Sequence, residues 1–198
     1  MVARMSTAAV DVPGNGERWL RAWREIDLPT GWRAEVIFNG SITVTPPPSP
    51  PHNLIADLID DVLRSGRPSD AGILQTLGVR IDAIGKGYIP DLVVVPRAAL
   101  VTDEPEISAE HVLLAVEITS KDNADHDRKA KRWGYAHGHV PLYLLVDRWE
   151  RPNPTVTLFA DPENGDYAES VRVPFGKSIR LPAPFDVEID TSQFPPGR

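Results

Sequence analysis

Apolar residues recur along this chain with two periods, and the switches between them outline most of its elements. Trp19, Leu20 and Trp23 are spaced for one face of a short helix that begins near Arg18 and is ended by Asp27, Pro29 and Gly31. From Trp32 to Thr45 the pattern becomes that of a hairpin, with Val36 and Phe38 on one arm, Ile42 and Val44 on the other, and Asn39-Gly40 between them. Both positions of such a turn need positive φ, which Asn-Gly supplies. The prolines of PPPSPP cannot donate to a sheet ladder and form a stiff connector. Leu54, Ile55, Leu58, Ile59, Val62 and Leu63 then make a helical stripe from about His52 to Arg64, closed by Gly66 and Pro68.

Beyond that helix the strand signal dominates. Ile73 to Asp82 alternates roughly and is rich in β-branched residues, which predicts one strand, with the GKG at 85 to 87 as a turn. Leu92 to Val95 is continuously apolar, as a strand buried on both faces would be. PRAALVTDEPEISAEH after it reads as a surface loop. Val112 to Ile118 and Leu142 to Val146 are two more buried strands, and NADHDRKAKRWGYAHG between them has helical spacing. A strand, helix, strand order generates parallel pairing. Thr155 to Asp190 alternates short β-like runs with turn residues and suggests antiparallel strands finishing the sheet. The expected fold is α+β: a central mixed sheet flanked by helices, with an N-terminal helix and hairpin. One domain spans 17–191, between a small, polar, flexible arm (1–16) and a short Pro-bearing tail (192–198).

Composition narrows the function classes. Of 198 residues, 41% are hydrophobic and 25% charged, and no apolar run approaches the roughly 20 residues of a membrane helix. The chain has no cysteine, so disulfides and thiolate metal sites are excluded and a cytoplasmic location is the default expectation. Any metal must sit on oxygen or imidazole. A net charge of −7 argues against a protein that coats nucleic acid, though not against an enzyme that meets it at one basic face.

Two acids stand at the edges of apolar strands. Asp91 follows Pro90 and opens the run LVVV, where a polar strand start is the plain alternative. Glu117 lies inside LLAVEI, where an unpaired carboxylate is costly to desolvate, so it needs a cationic partner or a metal ion. Asp127, Lys131 and Tyr135 fall at i, i+4 and i+8 and share one helical face. Taken alone they fit a surface ion pair. Position favours more, because this helix starts just after Glu117 and must pack back beside it; Lys121 on the connecting loop is a competing lysine. Arg128, Lys129, Lys131 and Arg132 form a concentrated basic cluster, either a solvated helix face or a phosphate-facing surface. His52, a lone histidine opening the helix beside the prolines, reads as a helix-terminal or surface residue, and His111, His126, His137 and His139 show no zinc spacing. Two carboxylates and a lysine are the minimum equipment for metal-assisted phosphodiester cleavage, the cation taking hard oxygen ligands.

In order, WRAEVIFNGSI, the prolines and His-led helix, YIPDLVVV, AVEITS, the Asp127, Lys131, Tyr135 series and PLYLLVD resemble the Uma family of restriction endonucleases, a bacterial branch of the PD-(D/E)XK nuclease superfamily. The likeness covers roughly residues 18 to 190 and implies a restriction-endonuclease-like sheet with two acids near adjacent strand ends. It assigns Asp91 to the PD motif and Glu117 to the acid of E-x-K. Thr119 stands where the superfamily lysine would be, and Lys131 on the helix matches the lysine of this family. Glu35 matches an early glutamate that can hold a second ion or solvent. The resemblance implies that Asp91, Glu117 and the Ile118 carbonyl hold Mg²⁺ or Mn²⁺, that Lys131 orients the attacking water, and that Asp127 and Tyr135 fix the lysine. DNA is the implied substrate, with Arg128, Lys129 and Arg132 on phosphate, and a C2 homodimer is the base-rate expectation for cutting two strands. The competing functions are a catalytically inactive nuclease-fold interaction module and a hydrolase of a smaller phosphorylated substrate.

Overall fold

The computed structural model describes residues 16–36, 42–121 and 127–197, with the side chains of Gly16, Glu17 and Asp127 left out. The N-terminal arm, Phe38 and the Asn39-Gly40 turn therefore lie outside the described residues. Helix α1 (Gly16–Glu25) leads to the arms of the hairpin, β1 (Arg33–Val36) and β2 (Ile42–Thr45), which pair antiparallel. Helix α2 (Pro50–Gly66) begins with prolines in its first turn, where their missing N–H groups would have no intrahelical partner anyway. Its buried stripe is His52, Ile55, Ala56, Ile59 and Leu63, while Leu54 is 46% exposed.

The stretch from Ile73 to Asp82 is two strands, not one. β3 (Ala71–Leu74) and β4 (Gly78–Ile81) belong to different sheets, and between them Thr76 sits at φ 57°. A β-branched residue in the left-handed region leaves no local sequence signal, so alternation alone runs through the break. In GKG only Gly85 turns the chain, at φ 59°; Lys86 and Gly87 belong to β5 (Lys86–Tyr88). β6 (Leu92–Pro96) follows. The expected surface loop after it contains a 3-10 turn, Arg97–Leu100, and β7 (Glu106–Ser108), which pairs parallel with β4.

β8 (Leu114–Ile118) and β9 (Leu142–Asp147) pair parallel across the helical crossover, as their spacing predicts. The crossover is a π-helical turn, Asp127–Lys131, running into α3 (Arg132–His137). β10 (Thr155–Glu163) and β11 (Asp166–Pro174) extend this sheet antiparallel. β12 (Ser178–Leu181) and β13 (Val187–Asp190) form a separate two-stranded ladder, so the sheet ends at β11.

The result is a mixed six-stranded sheet, ordered β11-β10-β9-β8-β6-β3, and a five-stranded sheet, ordered β2-β1-β5-β4-β7. Strand alternation sorts the larger sheet's side chains into two cores. Leu92, Val94, Leu114, Val116, Leu144 and Val146 join Ile55, Ile59 and Leu63 of α2 and the β12–β13 hairpin. Val93, Val95, Ala115, Tyr143 and Leu145 join Tyr135 of α3 and Val79, Ile81 and Tyr88 of the smaller sheet. Burying each large aliphatic side chain contributes about 1.5–3 kcal/mol. Against the far face of the small sheet α1 sets Trp23, whose Nε1 donates to the Ala34 carbonyl at 2.6 Å and whose ring fills the space a Cβ would need at Gly87. Phe194 of the C-terminal segment is buried in the α2-side core, and the Gly197 N–H donates to the Arg148 carbonyl at 2.8 Å.

Gly134 sets how closely α3 approaches the smaller sheet. A Cβ placed there would lie 2.5 Å from both Cε2 and the hydroxyl of Tyr88. Gly134→Ala is expected to destabilise the fold by about 1–3 kcal/mol through overpacking, read as a lower urea midpoint; an unchanged midpoint would show that Tyr88 yields freely.

Candidate functional site

The second core contains a charged centre. Glu35 on β1, Glu117 on β8 and Lys131 at the end of the π-turn are 5%, 2% and 5% exposed. Lys131 Nζ lies 3.0 Å from Glu35 Oε1 and 2.8 Å from Glu117 Oε2. The Tyr135 hydroxyl donates to Glu117 Oε1 at 2.7 Å, and the Ile89 N–H donates to Glu35 Oε1 at 2.8 Å. Lys131 Nζ also stands 6.0 Å from the centroid of the Tyr88 ring. Strand parity puts Glu117 here: Val116 and Ile118 point into the α2-side core, so the residue between them points the other way. Across the π-turn and α3 the i, i+4 spacing brings Lys131 and Tyr135 to the same acid.

Asp91 completes the cluster at the sheet end. Its Oδ2 accepts from the Ile118 N–H at 2.9 Å and lies 3.0 Å from His52 Nε2, while Oδ1 accepts from Arg33 Nη1 at 2.9 Å. Burial by itself would raise the Asp91 pKa, but the His52 hydrogen bond and the nearby charges of Lys131 and Arg33 outweigh it and hold the carboxyl below its ordinary value. The tyrosines move the other way. Burial, then the charge of Glu117 and its hydrogen bond, push Tyr135 well up; burial and Glu35 raise Tyr88. Tyr135 therefore keeps the proton it donates to Glu117.

Glu35, Glu117, Lys131 and Tyr135 are thus in direct contact, Asp91 is bound to the backbone of Ile118 next to Glu117, and Lys121 is exposed. The Asp127 side chain lies outside the described residues. The basic cluster is largely committed to acids from distant strands. Arg128 holds Asp147 through Nε at 2.5 Å and Nη2 at 3.0 Å; Arg132 holds Asp166 through Nε and Nη2, both at 2.6 Å; Lys129 is exposed. Thr119, fully buried at the position of the missing E-x-K lysine, donates to Asp147 Oδ1 at 3.2 Å and accepts from the Arg148 N–H at 3.0 Å. Sequence reasoning missed Arg33 and gave His52, at the start of its helix, no place in the site. Only His52 carries a signal, for it lies in phase with Ile55, Ile59 and Leu63 on the buried stripe.

Glu35, Asp91 and Glu117 carry carboxylate oxygens, the ligand type a hard cation takes, but Lys131 and Arg33 already pair with them, and among the described residues no three acidic or imidazole groups are grouped to hold one ion. Asp91 Oδ1 is the oxygen with the more exposed partner, since the Arg33 side chain is 17% exposed and that of His52 8%.

A family model, Uma2, described as "Putative restriction endonuclease", matches residues 20–192. A crystal structure from Anabaena variabilis ATCC 29413, described as "a putative nuclease belonging to DUF820", shares the fold: its TM-score is 0.63 at 19% identity, over 88% of this chain and 92% of that one. No curated protein matches the sequence. Among the described residues no helix is long and apolar enough to cross a membrane.

Two stability predictions follow from the buried charges. Lys131→Met leaves Glu35 and Glu117 facing each other in the core, and should cost about 3–5 kcal/mol in urea unfolding at neutral pH; a loss under 1 kcal/mol would mean the acids rearrange into solvent. The Asp91 carboxyl titrates lower in the folded than in the unfolded chain, where its pKa is about 3.9, so its stabilisation is complete above that value and is lost as pH falls through the folded pKa. The stability gap between wild type and Asp91→Asn should therefore narrow below about pH 4. A gap that widens on acidification would reverse the assigned sign.

Proposed function

We propose that this chain, which belongs to the Uma2 family, is a metal-dependent endonuclease that hydrolyses DNA phosphodiester bonds. The observation that carries the reading is the convergence of Lys131 on Glu35 and Glu117, beside an Asp91 fixed to the backbone of the same strand. Asp91, Glu117 and the Ile118 carbonyl would hold Mg²⁺ or Mn²⁺. Such an ion supplies Lewis acidity toward the phosphodiester and makes a nucleophile of water at neutral pH. Lys131, with its Nζ already between two carboxylates, orients the attacking water and stabilises the charge that develops on the phosphate oxygens. Glu35 receives Lys131 or solvent, and Tyr135 fixes the Glu117 carboxylate.

Because the chain carries a net charge of −7, contact with DNA has to be local. The exposed Lys129 is the outermost cation of the basic cluster, and Arg128 and Arg132 would exchange Asp147 and Asp166 for phosphate oxygens. A second reading, an inactive nuclease-fold interaction module, is favoured by one observation: among the described residues no three acidic or imidazole groups are grouped to hold one ion.

Plasmid DNA with Mg²⁺ or Mn²⁺ separates the two. The nuclease reading expects nicking or cutting that EDTA abolishes, that Glu117→Gln lowers about a hundredfold or more, and that Asp91→Ala removes together with divalent-ion binding. No cleavage by the folded wild type with either ion would remove the nuclease reading and favour the interaction module.

A further inference from the structure

His52 is the inner partner of Asp91, and it carries an unmet valence. Its ring is 6% exposed, its Nε2 lies 3.0 Å from Asp91 Oδ2, and its Nδ1 is buried with no hydrogen-bond partner among the described residues. Leaving a buried polar nitrogen unpaired costs about 1–3 kcal/mol. Packing does not call for this: the position is in phase with Ile55, Ile59 and Leu63, where an aliphatic side chain would bury without that cost. In an uncharged imidazole whose Nε2 donates, Nδ1 is an acceptor.

The geometry also decides which Asp91 oxygen is left for a ligand. Oδ2 receives two donors, His52 Nε2 and the Ile118 N–H, which saturate its lone pairs. Oδ1 receives Arg33, the partner nearer solvent. The histidine therefore fixes the rotation of the carboxylate and with it the identity of the available oxygen.

We infer that His52 is a further positioning residue of this site: its Nε2–H orients the Asp91 carboxylate for a divalent cation, and its Nδ1 accepts a hydrogen bond from an ordered water of the bound state. The inference rests on the nuclease reading above and deepens it by one residue. Partners that orient a metal ligand typically govern about 10–100-fold in metal affinity.

The test uses the full chain. Mn²⁺ affinity is measured by calorimetry for wild type, Asp91→Ala, His52→Phe and His52→Gln, and the ring nitrogens of His52 are observed by ¹⁵N NMR in the metal-free wild type. His52→Phe, which fills the volume without donating, should bind Mn²⁺ about tenfold or more weakly. His52→Gln, whose amide N–H can replace Nε2–H, should recover most of that affinity. The wild-type spectrum should show Nε2 protonated and Nδ1 bare. Wild-type affinity in His52→Phe, with binding lost in Asp91→Ala, would overturn the inference and leave the nuclease reading standing. A protonated Nδ1 paired with a bare Nε2 would overturn it whether or not the variants fold. Absence of Mn²⁺ binding in the wild type would overturn both.

Discussion

One ammonium group is the constraint around which the second core is arranged. Lys131 Nζ reaches carboxylates from two different sheets, Glu35 on β1 and Glu117 on β8, and does so where all three side chains are nearly inaccessible. Desolvating three charges in an apolar layer is tolerable only if each is matched and the remaining lone pairs are hydrogen-bonded. The Ile89 N–H and the Tyr135 hydroxyl meet that second condition. Consequently the smaller sheet, the larger sheet and the helical crossover are tied at one point by electrostatics, while the surrounding tyrosines supply the apolar packing. Tyr88 and Tyr135 meet edge to face with centroids 5.3 Å apart, and Tyr135 and Tyr143 follow at 5.1 Å.

Much of this could be read before any coordinates, for reasons that are local. Glu117 interrupts a run that strand burial requires to be apolar, and Lys131 and Tyr135 are one helical turn apart, so their convergence needs only that the crossover fold back on the sheet. The parallel pairing of β8 and β9 follows from the same crossover. What could not be read depends on long-range placement. Arg33 and His52 approach Asp91 from β1 and α2, at separations of 58 and 39 residues, and no periodicity links them. The partners of Arg128 and Arg132 likewise come from β9 and the start of β11. The division of residues 73–82 between two sheets turns on the backbone of Thr76, a residue type that favours the opposite conformation.

The displaced lysine changes how the centre is built. With Thr119 in the strand position, the chain uses a hydroxyl to bind Asp147 and the next backbone N–H, so the strand end is knitted to β9. The amine arrives instead from the turn where π-helical geometry gives way to α, and its height above the sheet is set by contacts such as that of Gly134 with Tyr88. The placement of the ammonium and the docking of the helix are thereby the same variable.

The two-sided burial of β8 has a further consequence for folding. If this strand paired with its neighbours one residue out of step, the glutamate would swing into the aliphatic layer beneath α2, out of reach of the ammonium, and a valine would take its place among the acids. Such a slipped sheet would strand a carboxylate in hydrocarbon and leave the ammonium with one of its two acids, so the alternative alignment is penalised twice over. The polar centre thus acts as a proofreading mark for strand alignment, a role that needs no enzymatic turnover.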